Sequence, residues 1–298
     1  MNKHLMATAF VWSAPALAEN KSYDINPGFN DALKAEFTQV IGNDGEAVSA
    51  VSAVLVDKNA NRFYLPDTCE PEGGNAALKD AFIVNAKKAY FLFTCAWPVR
   101  HPGLGLNGTQ YETFVYEGDT LSLLKKNVAL SQALSGYEGS LEEGGISYAW
   151  YLPRQIASQK VTELELGNPT DSLGLAHQVV LARLKDKDYA GVKAYLDPDR
   201  LDQLNKDFPV NTSNCMIYND FGYALAQAGD NALAYKLLKA VELVSPDRIV
   251  LKLNIADVLW SSDKSASRIY YKKYGESMRQ AGKETLIPRR VVDRINSI

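Results

Sequence analysis

Two hydrophobic periods divide this chain. Phe29, Leu33, Phe37 and Ile41 recur at steps of four, with Asn30 or Asp31 available to start a helix, so the spacing predicts an amphipathic helix over 29–41. From about Ala47 to Glu117 the pattern shortens to β-rich runs. Residues 48–56 end in the turn-like Asp57-Lys58-Asn59-Ala60-Asn61, and 62–65 reads as the returning arm of a hairpin. Residues 82–84 and 89–96, joined by Asn85-Ala86-Lys87-Lys88, predict a second hairpin. A fifth strand is expected over 110–116, where Tyr111, Thr113 and Val115 share one face and Glu112, Phe114 and Tyr116 the other. Residues 121–137 fit one more strand or a helix, 140–145 a polar loop, and 153–169 a connection. After Thr170 the period becomes helical, over 171–184, 189–196 and 199–208. The expected fold class is α+β: a β-rich antiparallel N-terminal domain over 19–160, followed by a helical domain over 170–298.

The most specific stretch is 215–248, CMIYNDFGYALAQAGDNALAYKLLKAVELVSPDR. Gly222 and Ala234 are small where two helices must approach, Gly229 can supply a left-handed turn, and Pro246 stops the second helix. With Tyr218, Phe221, Leu225 and Leu238 at the bulky positions, the segment resembles the tetratricopeptide repeat, a 34-residue pair of antiparallel helices. Residues 249–282 have the right length for a second repeat, with Ala256 and Leu259 in register. Asp263 stands there at the turn glycine and Arg268 at the small position, so this repeat is degenerate. Residues 173–196 resemble a third hairpin more weakly. Since one such unit cannot bury its own apolar face, neighbours are required. The resemblance implies a TPR-like array that binds an extended peptide or helix on the face of each first helix. That face carries Met216, Asn219, Tyr223 and Ala226, then Val250, Leu253, Asp257 and Trp260.

Residues 1–18 change the picture by giving an address. Lys3 and His4 open a 13-residue apolar run over 5–17, and Ala16-Leu17-Ala18 has the small-x-small form of a cleavage site, so a secretory signal peptide cut near Ala18 is expected. The run is too short to span a bilayer, and no stable membrane insertion is expected. In an oxidising compartment, periplasmic or extracellular, Cys69 and Cys95 are the favoured disulfide pair, and Cys215 is a small buried hydrophobe.

Composition, with 46% apolar and 22% charged residues, excludes collagen-like and disordered classes. A net charge of −3 and a pI near 5.7 give no support to nucleic-acid binding. Charge is uneven, however: residues 245–298 carry 11 basic and 6 acidic side chains. The run Arg268-Ile269-Tyr270-Tyr271-Lys272-Lys273-Tyr274 interleaves cations with aromatics, as a solvated helix face with inward tyrosines or as a surface for an acidic partner.

Candidate chemistry is sparse. The chain has no H-E-x-x-H, C-x-x-C, G-x-S-x-G or Walker loop, so no metal site and no nucleophile is expected. Gly103-Leu104-Gly105-Leu106-Asn107-Gly108 satisfies G-x-G-x-x-G, but it lies in a loop over 98–108 with a β-rich run after it. No helix N-terminus is there to hold a pyrophosphate, and no cofactor is expected. Asp197 and Asp199 read as helix caps. With no catalytic residue set, the expectation is a non-catalytic exported binder of a protein or peptide in the cell envelope. An inhibitor or immunity protein against an envelope-acting toxin fits that class, as does an envelope assembly adaptor. The rival from another class is an envelope hydrolase built from His101, Arg100 and Glu112.

Overall fold

Asn30 and Asp31 both hold positive φ, 46° and 70°, and two consecutive positive angles make a tight hairpin turn rather than a helix start. In the computed structural model, which describes residues 20–40, 50–71 and 75–296, the expected helix over 29–41 is therefore replaced by a hairpin of β1 (Asn20–Phe29) and β2 (Ala32–Val40). The true period there is two. Ala35 and Phe37 point inward, whereas Leu33, which a step of four placed with them, is 52% exposed. Residues 1–18, expected as a signal peptide, and Ile41 lie outside the described residues.

The chain forms two compact units, Met1–Leu152 and Pro153–Ile298. In the first, β1, β2, β3 (Ala50–Asp57) and β4 (Arg62–Cys69) form one antiparallel sheet in chain order. A second sheet contains β5 (Ala77–Asn85), β6 (Ala89–His101) and β7 (Leu106–Glu117), short β8 (Lys125–Lys126) on the end of β7, then β9 (Gly136–Ser140) and β10 (Ile146–Ser147). The inner faces share one core, centred on Phe93, whose ring stacks on Phe114 at 4.9 Å and meets Phe37 edge-on at 5.5 Å. The expected disulfide is present: Cys69 closes β4 and is joined to Cys95 of β6, with Cα atoms 6.3 Å apart.

The glycine-rich segment is shorter than expected as a loop. β6 and β7 pair as far as Arg100 with Asn107 and His101 with Leu106, leaving only a tight turn at Pro102–Gly105. Of Gly103, Gly105 and Gly108 only Gly105 takes positive φ. Pro98 is tolerated because β5 pairs no further than Ala96, beyond which β6 is an edge strand.

β7 has a gap in its outer edge, since β9 pairs with 107–111 and β8 only with 116–117. Helix α1 (Val128–Leu134) fills it with side chains. Val115 N–H donates to Ser131 Oγ at 3.0 Å, Thr113 N–H to Ser135 Oγ at 2.9 Å, and Asn127 N–H to the Val115 carbonyl at 2.8 Å. Two serines four residues apart thus replace a missing strand. Ser131→Ala leaves the buried Val115 amide without an acceptor and is expected to cost about 1–3 kcal/mol. The measurement is the urea midpoint, with exposed Gln132→Ala as reference; indistinguishable midpoints would refute this edge-cap role.

The second unit is helical throughout. Residues 153–169, expected as a connection, are mostly helix α2 (Arg154–Glu165), whose Lys160 is buried against Asp171 at 2.7 Å. Three helical hairpins follow: α3 (Leu173–Lys185) with α4 (Tyr189–Tyr195), then, after the single helix α5 (Pro198–Asp207), α6 (Cys215–Gln227) with α7 (Asn231–Val244), and α8 (Ile249–Leu259) with α9 (Lys264–Gln280). Helix α10 (Arg289–Asn296) ends the chain. Asp197 caps α5 through the Arg200 amide at 2.8 Å, and Cys215 is a buried free thiol. Gly229 makes the α6–α7 turn at φ 83°, and a Cβ on Gly222 would come within 2.6 Å of the Leu238 side chain. In the next hairpin the second helix begins one residue sooner after the start of the first. Asp263 caps α9 through the Ala266 amide, so the fully buried Ser267, rather than Arg268, takes the close approach, its hydroxyl donating to the Ala256 carbonyl at 2.7 Å.

Candidate functional site

Polar joints hold the first helices of the three hairpins side by side. His177 Nε2 of α3 lies 2.9 Å from Asp220 Oδ2 of α6, and Asn254 Nδ2 of α8 donates to Asn219 Oδ1 of α6 at 3.1 Å. These buried or half-buried contacts recur at matching places, which fixes one helix face against the next. Apolar side chains stand one turn away from each joint, on the same faces: Leu181 after His177, Met216 and Tyr223 on either side of Asn219, and Val250 before Asn254. They are 41%, 52%, 40% and 49% exposed.

Of the eight residues expected on the partner-binding face, Met216, Tyr223 and Val250 are exposed on it and Ala226 is half-buried. Asn219 is buried in its joint with Asn254. Leu253, Asp257 and Trp260 are engaged by their own chain. Leu253 packs on the cluster of Ala256, Tyr271, Tyr274, Met278 and Val291. Asp257 accepts from Tyr271 Oη at 2.6 Å, Arg290 Nη2 at 2.8 Å and Arg294 Nη1 at 2.9 Å. The Arg294 guanidinium lies 4.7 Å from the centre of the Trp260 ring. The physical reason is α10. Its apolar side, with Val291 fully buried, docks on the last hairpin, and its arginines reach the end of α8. Burial, helped by the neighbouring Asp257 carboxylate, pushes the Tyr271 hydroxyl up to about 12. In the cation-rich run 268–274, Tyr271 and Tyr274 are buried while Lys272 and Lys273 point outward.

The first unit carries a cleft of about 1210 Å³ beside the extended β6–β7 hairpin and α1. Arg100, His101 and Glu112 all line it, together with Trp97, Gln110 and Lys126. Glu112 lies opposite Cys95, six residues along β6 from His101, which separates the two by roughly 20 Å along the strand. That spacing is too long for an acid–base pair, which needs hydrogen-bond reach. At the inner end, Asp67 accepts from Tyr116 Oη and from Lys126 Nζ, the latter at 2.9 Å, and the Lys126 ammonium sits 4.6 Å over the Phe114 ring. Burial pushes the Glu112 carboxyl above the ordinary carboxylate range, opposed by the charge of Lys126 and reinforced by Asp67 and Glu70. Sequence reading passed over Trp97 and Lys126, which strand pairing brings to the same cleft, and Asp67, which holds Lys126.

Among the described residues no three His, Cys, Asp or Glu side chains gather as a metal site, and no helix is long and apolar enough to cross a membrane. No protein-family model matches the chain, and no curated protein is significantly similar to it.

Proposed function

We propose that this protein is an exported, non-catalytic binder of another protein, acting through a tetratricopeptide-like helical array. The observation that carries the reading is the row of exposed apolar side chains, Leu181, Met216, Tyr223 and Val250, held on helices that buried and half-buried polar joints lock together. A preformed face with exposed aromatic and apolar anchors binds without a large ordering cost. The export reading draws on the leader pattern of residues 1–18, and the buried Cys69–Cys95 disulfide is compatible with it. The partner is a protein or peptide of the cell envelope, and whether it is a toxin being inhibited or a component being assembled is decided by that partner's activity.

The binding residues narrow to those left open. Asn219, Leu253, Asp257 and Trp260 serve to hold the array and its closing helix. The test is affinity capture from the protein's own envelope extract, followed by titration of the purified partner. Tyr223→Ala is expected to weaken binding at least tenfold, an anchor's loss of about 2 kcal/mol. Adding Met216→Ala and Val250→Ala is expected to abolish capture. Retention of a stoichiometric partner by the triple variant, or no partner for the wild type, would refute this reading.

A further inference from the structure

We propose that the cleft of the first unit is a carbohydrate-binding site, separate from the helical face, in which Trp97 supplies the platform and Gln110 and Glu112 the polar contacts. Exposure rises along β6 from buried Cys95 through half-buried Trp97 and Val99 to exposed His101, so the inner face of the sheet opens into the cleft. Trp97 rests against the core on one side. Gln110 lies directly across the ladder from it, and Glu112 is the diagonal neighbour, with backbones roughly 7–8 Å apart and long side chains within reach of one another. The cleft thus combines an aromatic surface with an amide that donates and accepts and a carboxylate that accepts.

Its electrostatics select against a strongly charged ligand. Lys126 is already committed to Asp67, and the remaining charged lining residues are of both signs, Glu70 and Glu112 against Arg100 in number only. Among the described residues the Glu112 side chain has no hydrogen-bond donor, although burial penalises its charge. A sugar satisfies all three conditions. The C–H face of a pyranose covers an aromatic ring, its hydroxyls donate to a half-buried carboxylate without bringing a net charge, and its remaining oxygens accept from an amide. An open cleft of about 1210 Å³ admits several rings of a chain.

The experiment is calorimetric titration of the full chain with chitotetraose, cellotetraose and maltotetraose, and with lysine amide as the cationic alternative. Saturable binding of at least one sugar is expected, weakened at least tenfold by Trp97→Ala and by Glu112→Gln. Trp97→Phe should stay within about threefold of the wild type, since a smaller ring keeps most of the platform. Gln110→Ala gives a second reading should Trp97→Ala unfold. Tyr223→Ala should bind sugar like the wild type, so failure of the protein-partner reading leaves this result unaffected. Binding of none of the three sugars, saturation by lysine amide alone, or undiminished binding by the Glu112 and Gln110 variants would each overturn the proposal.

Discussion

Asp171→Ala is expected to lower the stability of the helical unit by about 3–5 kcal/mol, the largest single-residue effect anticipated for this protein. Asp171 is 8% exposed, and its carboxylate accepts from Lys160 Nζ at 2.7 Å, Tyr195 Oη at 2.5 Å and Arg200 Nη1 at 3.2 Å. Lys160 is itself 5% exposed, and it also donates to the Pro169 carbonyl at 3.1 Å. Truncating Asp171 therefore removes the carboxylate that a buried ammonium is paired with, which costs more than the ion pair contributed. The same physics sets a second expectation. Replacing both partners, Lys160→Met with Asp171→Leu, removes both buried charges, so the double variant should be more stable than Asp171→Ala alone. Guanidinium unfolding followed by far-ultraviolet circular dichroism reads both quantities. A loss below about 1 kcal/mol for Asp171→Ala would place this pair with ordinary surface salt bridges and refute its structural role.

The second large effect belongs to the disulfide. Cys69 and Cys95 are both fully buried and separated by 26 residues, and they tie the last strand of one sheet to the middle of the other. Closing a loop of that length restricts the unfolded chain by about 3 kcal/mol. The Cys69→Ala, Cys95→Ala double variant should therefore melt about 10 °C lower in scanning calorimetry, in the transition of the first unit. Because neither sulfur is exposed, reductant alone should act slowly on the native protein and quickly once it is partly unfolded. Thiol labelling of the unreduced protein under denaturing conditions should find Cys215 alone. Three labelled cysteines, or an unchanged melting temperature in the double variant, would rule the bond out as a source of stability.

Several features were legible in the residues themselves. Alternation over 110–116 located β7, and the closeness of Cys69 and Cys95 to strand runs located their bond. The small, turn and proline positions of 215–248 set the α6–α7 hairpin, with Gly222 against Leu238 and Gly229 at the bend. Each of these signals is local, because the residue that states it also enforces it. The apolar step of four at 29–41 was equally local but ambiguous. Phe29 and Phe37 satisfy both periods, and only the Asn30-Asp31 turn, with the first sheet available to pair with, decided for strands.

The candidate sites show the opposite dependence. The sequence placed Asn219, Leu253, Asp257 and Trp260 on the same helix faces as Met216 and Tyr223, and helix geometry alone could not tell them apart. Their fates differ because α10 folds back to engage Asp257 and Trp260, and because Asn254 meets Asn219 across two helices. In the first unit, Arg100, His101 and Glu112 could be listed as acid–base candidates until strand register set Glu112 beside Trp97 and far from His101. The sequence by itself determined the two periods, the α+β division, the disulfide partners and one helical hairpin, since those follow from near neighbours in the chain. Tertiary structure alone decided which exposed side chains stay open, which charges are buried and which residues share a cleft, since those depend on contacts between segments that no local pattern encodes.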